Sequence, residues 1–600
     1  MSDLDDFSEF GGDDGDGDPE TADDAADTGD EQFHTPDLDT PDAQRGIGTL
    51  AVSEGLRIAE DERDTELRAY VTAANRSGVR IGTYLVADYP GGEEKLFCRV
   101  AGLEYAQAFR SDDATEIHAR RAMRSAGVDE QDYKFIADLE PLAVLYEEGG
   151  ELRRRMADRV PKPETVVASA DDTEVLKTGL NIPDDGVFLG HLSVNGEKVR
   201  TAATPPTIDY RVKDDYESGD PLVFRHTLVA GGTGSGKTHT TKNVLRQYLA
   251  ADRTYPVETG ADREPQLAVV QFDPQDEYAQ MHDDNPEATS EDERDWERQG
   301  IASGGHEDTV AFVPEIGDAT YAANHHGAEQ IPFTIPFTMA RSRPWLAASA
   351  GLNDNQYTAL RLLIKRFFES GSADTYRAFC SFLDDPALRE ELDESGRVHE
   401  ATFDAVKRRV LGMPDGVFDG DAPPITDLIR EFVKPGRLSV VPTYHINDSR
   451  ATETAVLALS SLLVDEKLSN DPRFERIKET PLLLGMDEAH NFLADADTVQ
   501  ARQVIGKFTE AAKQGRKERL GLFLVTQDPQ DVADAVFKQV NTTIVLNLGD
   551  EDAISSVNIP ANLEGKVPYM EKGQMVVYSP DNSEPVEVTG LPTCLTRHGR

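Results

Sequence analysis

One run of nine residues combines the residue types that bind the phosphates of a nucleotide. It reads Gly231-Gly232-Thr233-Gly234-Ser235-Gly236-Lys237-Thr238-His239. Glycines let the backbone curve around phosphate oxygens with several N–H groups pointing inward, and a helix beginning there turns its positive end toward them. Lys237 would offset charge on the β- and γ-phosphates, and the Thr238 hydroxyl would ligate Mg²⁺. The run predicts a Walker A loop for ATP and Mg²⁺, with a chance glycine turn as the alternative.

A second set of candidate residues lies at the end of the apolar segment Leu482–Met486. Asp487 and Glu488 follow it directly, as in the Walker B pattern. Asp487 would hold the Mg²⁺ shell, and Glu488 would orient and deprotonate an attacking water. Acids often end strands, so the pair gains its weight from the Walker A loop earlier in the same predicted sheet.

Two more apolar segments end in polar residues. Gln527 follows Leu520–Thr526, and Asp273 follows Ala268–Phe272, with Glu277 shortly after. Residues at the carboxyl ends of parallel strands face the ligand side of a sheet. Gln527 is therefore a candidate γ-phosphate sensor, and Asp273 or Glu277 would face the nucleotide. In each case a polar turn that merely ends the strand is the alternative.

A basic cluster stands out in this acidic chain. Its members are Lys513, Arg516, Lys517 and Arg519. The cluster ends a predicted helix and precedes the strand of Gln527, so a solvated helix end favoured by the helix dipole explains it. The alternative is an arginine finger that enters the nucleotide site of a neighbouring subunit, with Arg516 as the candidate.

Alternating apolar strands and amphipathic helices would position these residues. The predicted strands are Leu228–Ala230, Ala268–Phe272, Leu438–Pro442, Leu482–Met486, Leu520–Thr526 and Thr543–Leu548. Continuously apolar strands separated by helices, such as Thr238–Ala250, indicate a mostly parallel sheet covered on both faces. The fold class is therefore α/β, with a RecA-like P-loop ATPase core.

The remaining sequence divides into further predicted domains. Residues 1–45 form an acidic tail too polar to fold, and 46–205 hold short period-two strands, typical of a small β-barrel with one helix near Ala114–Ser125. The core occupies 206–339 and 431–600, and 340–430 form a helical insertion. Val187–Val194 is assigned to the barrel, and the acid-rich stretch 281–308 to a surface loop.

Bulk composition narrows the class of protein. The formal net charge is −50, and the acidity extends well beyond residues 1–44. Acidity spread in this way is typical of proteins from salt-loving microbes; an ordinary acidic protein with a disordered tail is the alternative. Three distant cysteines form no disulfide or zinc pattern. No run of eighteen apolar residues exists, which predicts a cytoplasmic protein with no membrane span.

These motifs, in this order, resemble the HerA family of archaeal DNA translocases. The resemblance runs from about Ile47 to the C-terminus and includes the barrel and the helical insertion. The matching motifs are the Walker A loop, Asp273-Pro274 with Glu277-Tyr278, Asp487-Glu488-Ala489-His490, Gly515-Arg516-Lys517 and Thr526-Gln527. Asp276 departs from the pattern, because the family has Gly or a close equivalent there.

The resemblance implies a homo-hexameric ring that moves double-stranded DNA through its centre as an ATP-dependent translocase and helicase. It also implies a role in DNA end resection and double-strand break repair, with a NurA-type nuclease docked on the barrel side. Arg516 would act in the neighbouring subunit's site. The residues that would act within their own subunit are Lys237, Thr238, Asp487, Glu488 and Gln527.

Two alternatives to a DNA translocase remain at this stage. One is a related ring ATPase that drives protein or DNA transfer in a secretion- or conjugation-like system. The other is a nucleotide-binding scaffold without turnover. An intact set of Lys237, Asp487, Glu488 and Gln527 argues against the scaffold, and the absence of a predicted membrane segment argues against the secretion motor.

Overall fold

The computed structural model describes most of the chain after the acidic tail. The described residues are 46–51, 56–59, 65–107, 133–215, 221–257, 263–322, 326–349, 351–494, 498–557, 559–580, 582 and 584–599. The predicted tail, residues 1–45, and the predicted barrel helix near Ala114–Ser125 lie outside them.

Strands and helices of the described residues are numbered here in chain order. The strands are β1 (Gly46–Leu50), β2 (Arg68–Val71), β3 (Tyr84–Asp88), β4 (Glu94–Gln107), β5 (Tyr133–Glu148), β6 (Glu151–Arg155), β7 (Val166–Ser169), β8 (Val187–Val194), β9 (Glu197–Lys198), β10 (Asp209–Val212), β11 (Thr227–Ala230), β12 (Ala268–Asp273), β13 (Thr309–Pro314), β14 (Glu329–Phe333), β15 (Leu438–Pro442), β16 (Leu482–Met486), β17 (Leu520–Thr526), β18 (Thr542–Val545), β19 (Gln574–Tyr578) and β20 (Val586–Thr589). The α-helices are α1 (Thr173–Leu180), α2 (Lys237–Tyr248), α3 (Ser290–Arg298), α4 (Asp354–Glu369), α5 (Tyr376–Leu383), α6 (Pro386–Glu394), α7 (Glu400–Leu411), α8 (Ile429–Phe432), α9 (Ser449–Leu468), α10 (Glu475–Glu479), α11 (His490–Leu493), α12 (Val499–Gln514), α13 (Asp534–Phe537), α14 (Glu551–Ser556) and α15 (Ala561–Glu564).

Six strands near the start of the described chain close into a β-barrel. The order is β1–β7–β3–β4–β5–β2, and the ring closes because β2 pairs with both β1 and β5. β6 extends from β5 as a hairpin outside the ring. In β2, Ala69 and Val71 are buried whereas Arg68 and Tyr70 are partly exposed, as the period-two geometry of a strand requires. The predicted N-terminal β-barrel is confirmed.

The other strands form one mixed sheet, the core sheet. Its eight parallel strands lie in the order β18–β11–β17–β16–β12–β15–β13–β14, and β19, β20, β8 and β10 continue it antiparallel beyond β18. Along β11, Leu228 and Ala230 pack into one apolar cluster and Val229 into another, so both faces are covered. β14 is an edge strand and contains Pro332. The predicted α/β class with a P-loop ATPase core is confirmed.

One predicted strand has the expected bounds but a different partner. The sequence assigns Val187–Val194 to the barrel, whereas β8 pairs with β10 and β20 of the core sheet. Seven of its eight residues are buried, without the alternation of a half-buried barrel strand. The assignment is wrong because an apolar run identifies a strand but not the strand beside it.

The acid-rich stretch 281–308 is also more ordered than a surface loop. Its helix α3 begins with a capping box, in which the Thr289 and Asp292 side chains accept each other's backbone N–H groups, and this arrangement satisfies two otherwise unpaired donors. Trp296 of α3 is buried and packs in a small cluster with Leu595. The loop prediction is wrong because one buried tryptophan anchors a helix that otherwise carries mostly charge.

Helices α4–α8 lie between β14 and β15, where the sequence places the helical insertion. Helix α4 begins with a second capping box, between Asn353 and Gln356. An aromatic cluster forms the centre of this region, with the Phe337 ring 5.3 Å from the Phe379 ring and 5.5 Å from the Phe418 ring. The domain boundaries given by the sequence stay predictions.

Helix α9 links the insertion side of the sheet to strand β16. It has 20 residues and is buried along most of its length, yet neither it nor any other helix of the described residues is long and apolar enough to cross a membrane. Near its end the buried Lys467 ammonium donates to the carbonyl oxygens of Ile477, Lys478 and Thr480, at 3.2, 2.9 and 2.5 Å. One cation therefore fixes the segment that enters β16.

Removal of this cation should destabilise the fold. Lys467→Ala leaves three carbonyl oxygens without their donor in a buried place, so we expect a loss of about 2–4 kcal/mol in the free energy of unfolding. Lys365→Ala is the matched control, because the Lys365 side chain is 71% exposed, and it should stay within about 0.5 kcal/mol. Denaturant unfolding measures both, and equal effects would contradict the role given to Lys467.

Candidate nucleotide site

Three neighbouring strands deliver the predicted residues to one edge of the core sheet. Strands β11, β17 and β16 are adjacent and parallel, and Ala230 of β11 is level with Thr526 of β17. The Walker A loop follows β11, Gln527 follows β17, and Asp487 follows β16. Their carboxyl ends therefore open on the same side, where open parallel sheets bind ligands.

The Walker A loop joins β11 to helix α2. Residues 231–236 form the loop, and the first turn of α2 contains Lys237, Thr238 and His239. Gly234 and Gly236 have φ angles of +79° and +107°, a left-handed conformation that glycine adopts without steric penalty. The loop is thus shaped as a phosphate cradle, with the positive end of α2 facing it.

The Lys237 ammonium lies inside this cradle. It donates to the carbonyl oxygens of Gly231 and Gly232 at 2.7 and 3.1 Å. Burial lowers the pKa of Lys237, and the nearby carboxylates of Glu488 and Asp487 oppose that shift. The Ser235 hydroxyl is buried in the same loop and has no hydrogen-bond partner. The loop therefore holds a cation and an unpaired hydroxyl at the place where phosphate oxygens would bind.

Gln527 connects the Walker A loop to the Walker B residues. Its Oε1 accepts a hydrogen bond from the Thr233 hydroxyl at 2.8 Å, and its Nε2 donates to Glu488 Oε1 at 2.5 Å. The side chain therefore spans from the loop to the predicted water-activating carboxylate. A residue in this place is positioned to respond to a γ-phosphate and to transmit the response to Glu488.

Glu488 has an unusual backbone conformation. Its φ angle is +50°, a left-handed value that costs a non-glycine residue roughly 1–3 kcal/mol. Its N–H donates to Asp487 Oδ1 at 3.0 Å, and its Oε2 is buried without a hydrogen-bond partner. The turn after β16 thus directs one carboxylate oxygen to Gln527 and leaves the other available to orient water.

Several carboxylates share this small space. Burial, together with the charges of Asp273 and Glu488, raises the pKa of Asp487 to about 8. Burial also raises the pKa of Asp273 to about 6, although its side chain accepts N–H bonds from Gln275 and Tyr278. Crowded carboxylates of this kind are relieved by a divalent cation.

ATP and Mg²⁺ fit this arrangement. The loop supplies inward N–H groups and Lys237 for the phosphates, and Thr238 and Asp487 would hold Mg²⁺, which accepts few protein ligands beside phosphate oxygens and water. When bound, Mg²⁺ offsets negative charge on the phosphates. The strand order places the Asp487 and Lys237 elements on one edge, with Gln527 between them.

The sequence gives His490, a neighbour of Glu488, no role of its own in the nucleotide site. His490 Nδ1 lies 3.6 Å from Glu488 Oε2 and hydrogen-bonds to the Thr526 hydroxyl at 3.0 Å, and its Nε2 lies 3.8 Å from Asp528. His490 therefore braces the Walker B turn against the end of β17. In the sequence, the position of His490 two residues after Glu488 is the signal that could have identified it.

The backbone conformation of Asp276 explains why glycine suits this position. Its φ angle is +59°, which glycine adopts freely and other residues adopt at a steric cost. The Asp276 carboxylate accepts a hydrogen bond from the Tyr321 hydroxyl at 2.8 Å. The departure from the family pattern is thus accommodated by a contact with a distant segment.

The basic cluster lies at the amino ends of the parallel strands, on the side of the core sheet opposite the nucleotide site. Arg516 and Lys517 are exposed just before β17, and the seven residues of that strand separate them from Gln527 by roughly 20 Å. Arg519 is buried and donates to the carbonyl oxygen of Pro256 at 3.0 Å, so it is engaged within its own chain. Arg516 is therefore too far from the nucleotide site of its own chain to contact it.

Comparison with known families identifies the central part of the chain. Residues 218–462 match the family model described as the central domain of the helicase HerA. This central segment is therefore similar to the HerA central domain. The matched segment contains the Walker A loop, β12 and the insertion helices, whereas Asp487 and Gln527 lie beyond its end.

Two curated relatives are similar to the chain. A probable helicase of Methanocaldococcus jannaschii is 24% identical over 493 residues, which cover 78% of this chain and 82% of the relative. The DNA double-strand break repair helicase HerA of Pyrococcus furiosus is 29% identical over 102 residues, 16% of this chain and 18% of the relative.

Solved structures resemble the fold only distantly. VirB4 of Thermoanaerobacter pseudethanolicus has a TM-score of 0.42 and 12% identity, over 69% of this chain and 98% of that one. The plasmid coupling protein TrwB with a non-hydrolysable ATP analogue has a TM-score of 0.40 and 14% identity, over 65% and 93%.

The crowding of carboxylates should lower the free energy of unfolding of the chain when no ligand is bound. With its raised pKa, Asp487 stays protonated in the folded chain up to about pH 8, whereas an unfolded chain releases that proton near pH 4. Asp487→Asn removes the ionisable group, so at pH 9 without metal or nucleotide we expect it to raise the free energy of unfolding by about 1–3 kcal/mol. The gain should shrink as the pH falls from 8 to 4.

Denaturant unfolding at pH 9 and pH 5 measures this effect. Asp184→Asn is the matched control, because the Asp184 side chain is 88% exposed, and it should change the stability by less than about 0.5 kcal/mol. A loss of stability in Asp487→Asn at pH 9 would contradict an unfavourable buried charge.

Proposed function

We propose that the chain hydrolyses ATP with the residues gathered at the carboxyl edge of the core sheet. Lys237 contacts the phosphates, Glu488 takes a proton from the attacking water, and Gln527 links the state of the γ-phosphate to Glu488. Thr238 and Asp487 hold Mg²⁺. A positioned general base contributes about 10²–10⁴-fold to a rate, so Glu488→Gln keeps ATP binding and loses turnover by that order.

We propose further that ATP hydrolysis drives translocation of double-stranded DNA. The observation that supports this best is that the phosphate cradle lies inside the segment that matches the HerA central domain. The names of the two curated relatives, a probable helicase and a double-strand break repair helicase, support the same activity. DNA translocase and helicase activity is therefore the function that we propose for the whole chain.

The active form is proposed to be a homo-hexameric ring. The exposed Arg516 lies at the edge of the sheet opposite the Walker A loop of its own chain, so a neighbouring subunit's site is the one it can serve. In a ring, one edge of each subunit faces the opposite edge of the next. Arg516 then stabilises charge on the transferred phosphoryl group of the neighbour.

The biological setting is proposed from the family resemblance and from composition. A nuclease of the NurA type would dock on the β-barrel side, and the pair would resect DNA ends during double-strand break repair in the cytoplasm. The net charge of −50 supports an origin in a halophilic archaeon, where high salt screens the repulsion between carboxylates. DNA contacts only the inner surface of a ring, so this charge does not oppose DNA binding.

Duplex DNA should stimulate ATP hydrolysis, and stimulation should persist at high salt. Ordinary phosphate contacts lose about 10³–10⁵ in affinity between 50 and 200 mM salt, whereas a ring retains threaded DNA by topology. Linear duplexes should therefore stimulate more than closed circles, without preference for sequence. ATPase rates across a salt series measure this, with Lys237→Ala as the inactive control.

The same assay distinguishes DNA from a secretion substrate as the cargo. A candidate secretion substrate that stimulates turnover, together with no response to DNA at any salt where the ring is intact, would favour the secretion- or conjugation-like motor. Equal stimulation by linear and circular DNA would contradict threading.

Mixing experiments should reveal a role for Arg516 across the subunit boundary. Arg516→Ala and Lys237→Ala proteins should each be inactive, since an arginine finger contributes about 10³–10⁵-fold. In mixed rings, some interfaces join an intact Lys237 to an intact Arg516, so ATPase activity should recover. Lys517→Ala, the exposed neighbour, is the matched control and should remain active. No recovery in confirmed mixed rings would rule out the role in trans.

A further inference from the structure

The last described residues, 591–599, form a C-terminal arm that crosses helix α2 beside the Walker A loop. Asn243 of α2 accepts the Leu595 N–H at 2.9 Å, and the Lys242 ammonium donates to the Arg597 carbonyl at 3.1 Å. On the other side, the Arg597 N–H donates to the Asp283 carbonyl at 3.0 Å. The arm is therefore anchored on both flanks, and its path is fixed.

A second contact connects the start of the arm to the loop. The Gly573 N–H donates to the Ser235 carbonyl of the Walker A loop at 3.0 Å, and the Gly573 carbonyl accepts the Gly590 N–H at 2.9 Å. The turn that contains Gly573 thus forms a wall of the phosphate cradle, and the arm continues from that wall along α2.

Two imidazoles meet where the arm passes the first turn of α2. The rings of His239 and His598 lie 5.4 Å apart at an interplanar angle of 80°. His239 Nε2 and His598 Nδ1 are both buried and have no hydrogen-bond partner. Unpartnered imidazole nitrogens of this kind can donate a hydrogen bond to a ligand or accept one from it.

The phosphates of a bound nucleotide define where its nucleoside must lie. A bound nucleotide would place its β- and γ-phosphates in the loop at Lys237, and the rest of the nucleotide would leave the loop beside the first turn of α2. His239 is the last residue of the predicted nucleotide-binding run and stands on that turn. The His598 ring of the arm packs against the His239 ring, so the arm is the surface beside this turn.

We propose that His598 on the C-terminal arm and His239 on α2 form the nucleoside-binding end of the ATP site, where their imidazoles contact the base and ribose. This inference rests on the proposed ATPase function and deepens it. Nucleobases stack on aromatic rings, and their edges carry both donors and acceptors, which match the unpaired ring nitrogens. His598 is then a residue that determines nucleotide affinity, although 361 positions separate it from Lys237.

The test compares two ligands that share phosphates but differ in the nucleoside. A non-hydrolysable ATP analogue and inorganic tripolyphosphate, each with Mg²⁺, are titrated calorimetrically into the full-length wild-type chain and into His598→Ala. We expect about a tenfold loss of affinity for the ATP analogue, equivalent to about 1.4 kcal/mol, and no change for tripolyphosphate. His598→Phe retains a ring and should lose less than His598→Ala.

A control variant tests whether the loss of affinity is specific to the arm. His399→Ala removes an imidazole that is 85% exposed on the helical insertion and should bind both ligands as wild type does. The ratio of the two affinities within one sample does not depend on the fraction of folded protein, so partial unfolding cannot imitate the effect. Equal losses for both ligands would show that the arm only supports the phosphate loop and would overturn the proposal.

The remaining outcomes separate this inference from the proposed function. Unchanged affinity of His598→Ala for the ATP analogue overturns the nucleoside site and leaves the ATPase assignment intact. A wild-type chain that binds tripolyphosphate as tightly as the ATP analogue also overturns it, since the nucleoside would then add nothing. A wild-type chain that binds neither ligand contradicts the proposed ATPase function itself.

Discussion

An imbalance of charge at the carboxyl edge of the core sheet organises the rest of the nucleotide site. Four carboxylates, those of Glu277, Asp487, Glu488 and Asp528, lie within electrostatic reach of the Lys237 ammonium. The loop carbonyls hold that lysine, and the following strand supplies a glutamine that occupies one oxygen of Glu488. The negative charge that remains favours the binding of a divalent cation, and a nucleotide polyphosphate binds together with such a cation. The charges at this edge therefore favour a polyphosphate with its cation as the ligand.

The parts of this site that could be predicted from sequence are those fixed by neighbours along the chain. A glycine-rich run after an apolar strand has few conformations that bury the strand and begin the helix, so residues 231–239 specify their loop locally. Asp487 and Gln527 are placed by a simple rule, because parallel strands all end at the same edge. The sheet and the barrel follow from periods of burial, which are also local properties.

The parts that could not be predicted depend on contacts between distant segments. Val187–Val194 has the composition of a strand, but only three-dimensional packing decides that it extends the core sheet. Trp296 anchors a helix through Leu595, about three hundred positions later. His598 reaches the first turn of α2 in the same way. Sequence periodicity carries no information on such pairings, because it indicates which residues are buried but not which distant segment covers them.

Pro332 in β14 limits how copies of this chain can associate. Proline lacks an N–H and occurs in sheets where that missing donor faces outward, so a strand added beside β14 would lose a ladder hydrogen bond. The core sheet therefore resists extension through this edge into a neighbouring molecule. Contacts between copies at this edge would then depend on side chains rather than on a shared backbone ladder. Side-chain contacts break and re-form one at a time, a mechanical property that would suit the ring proposed above.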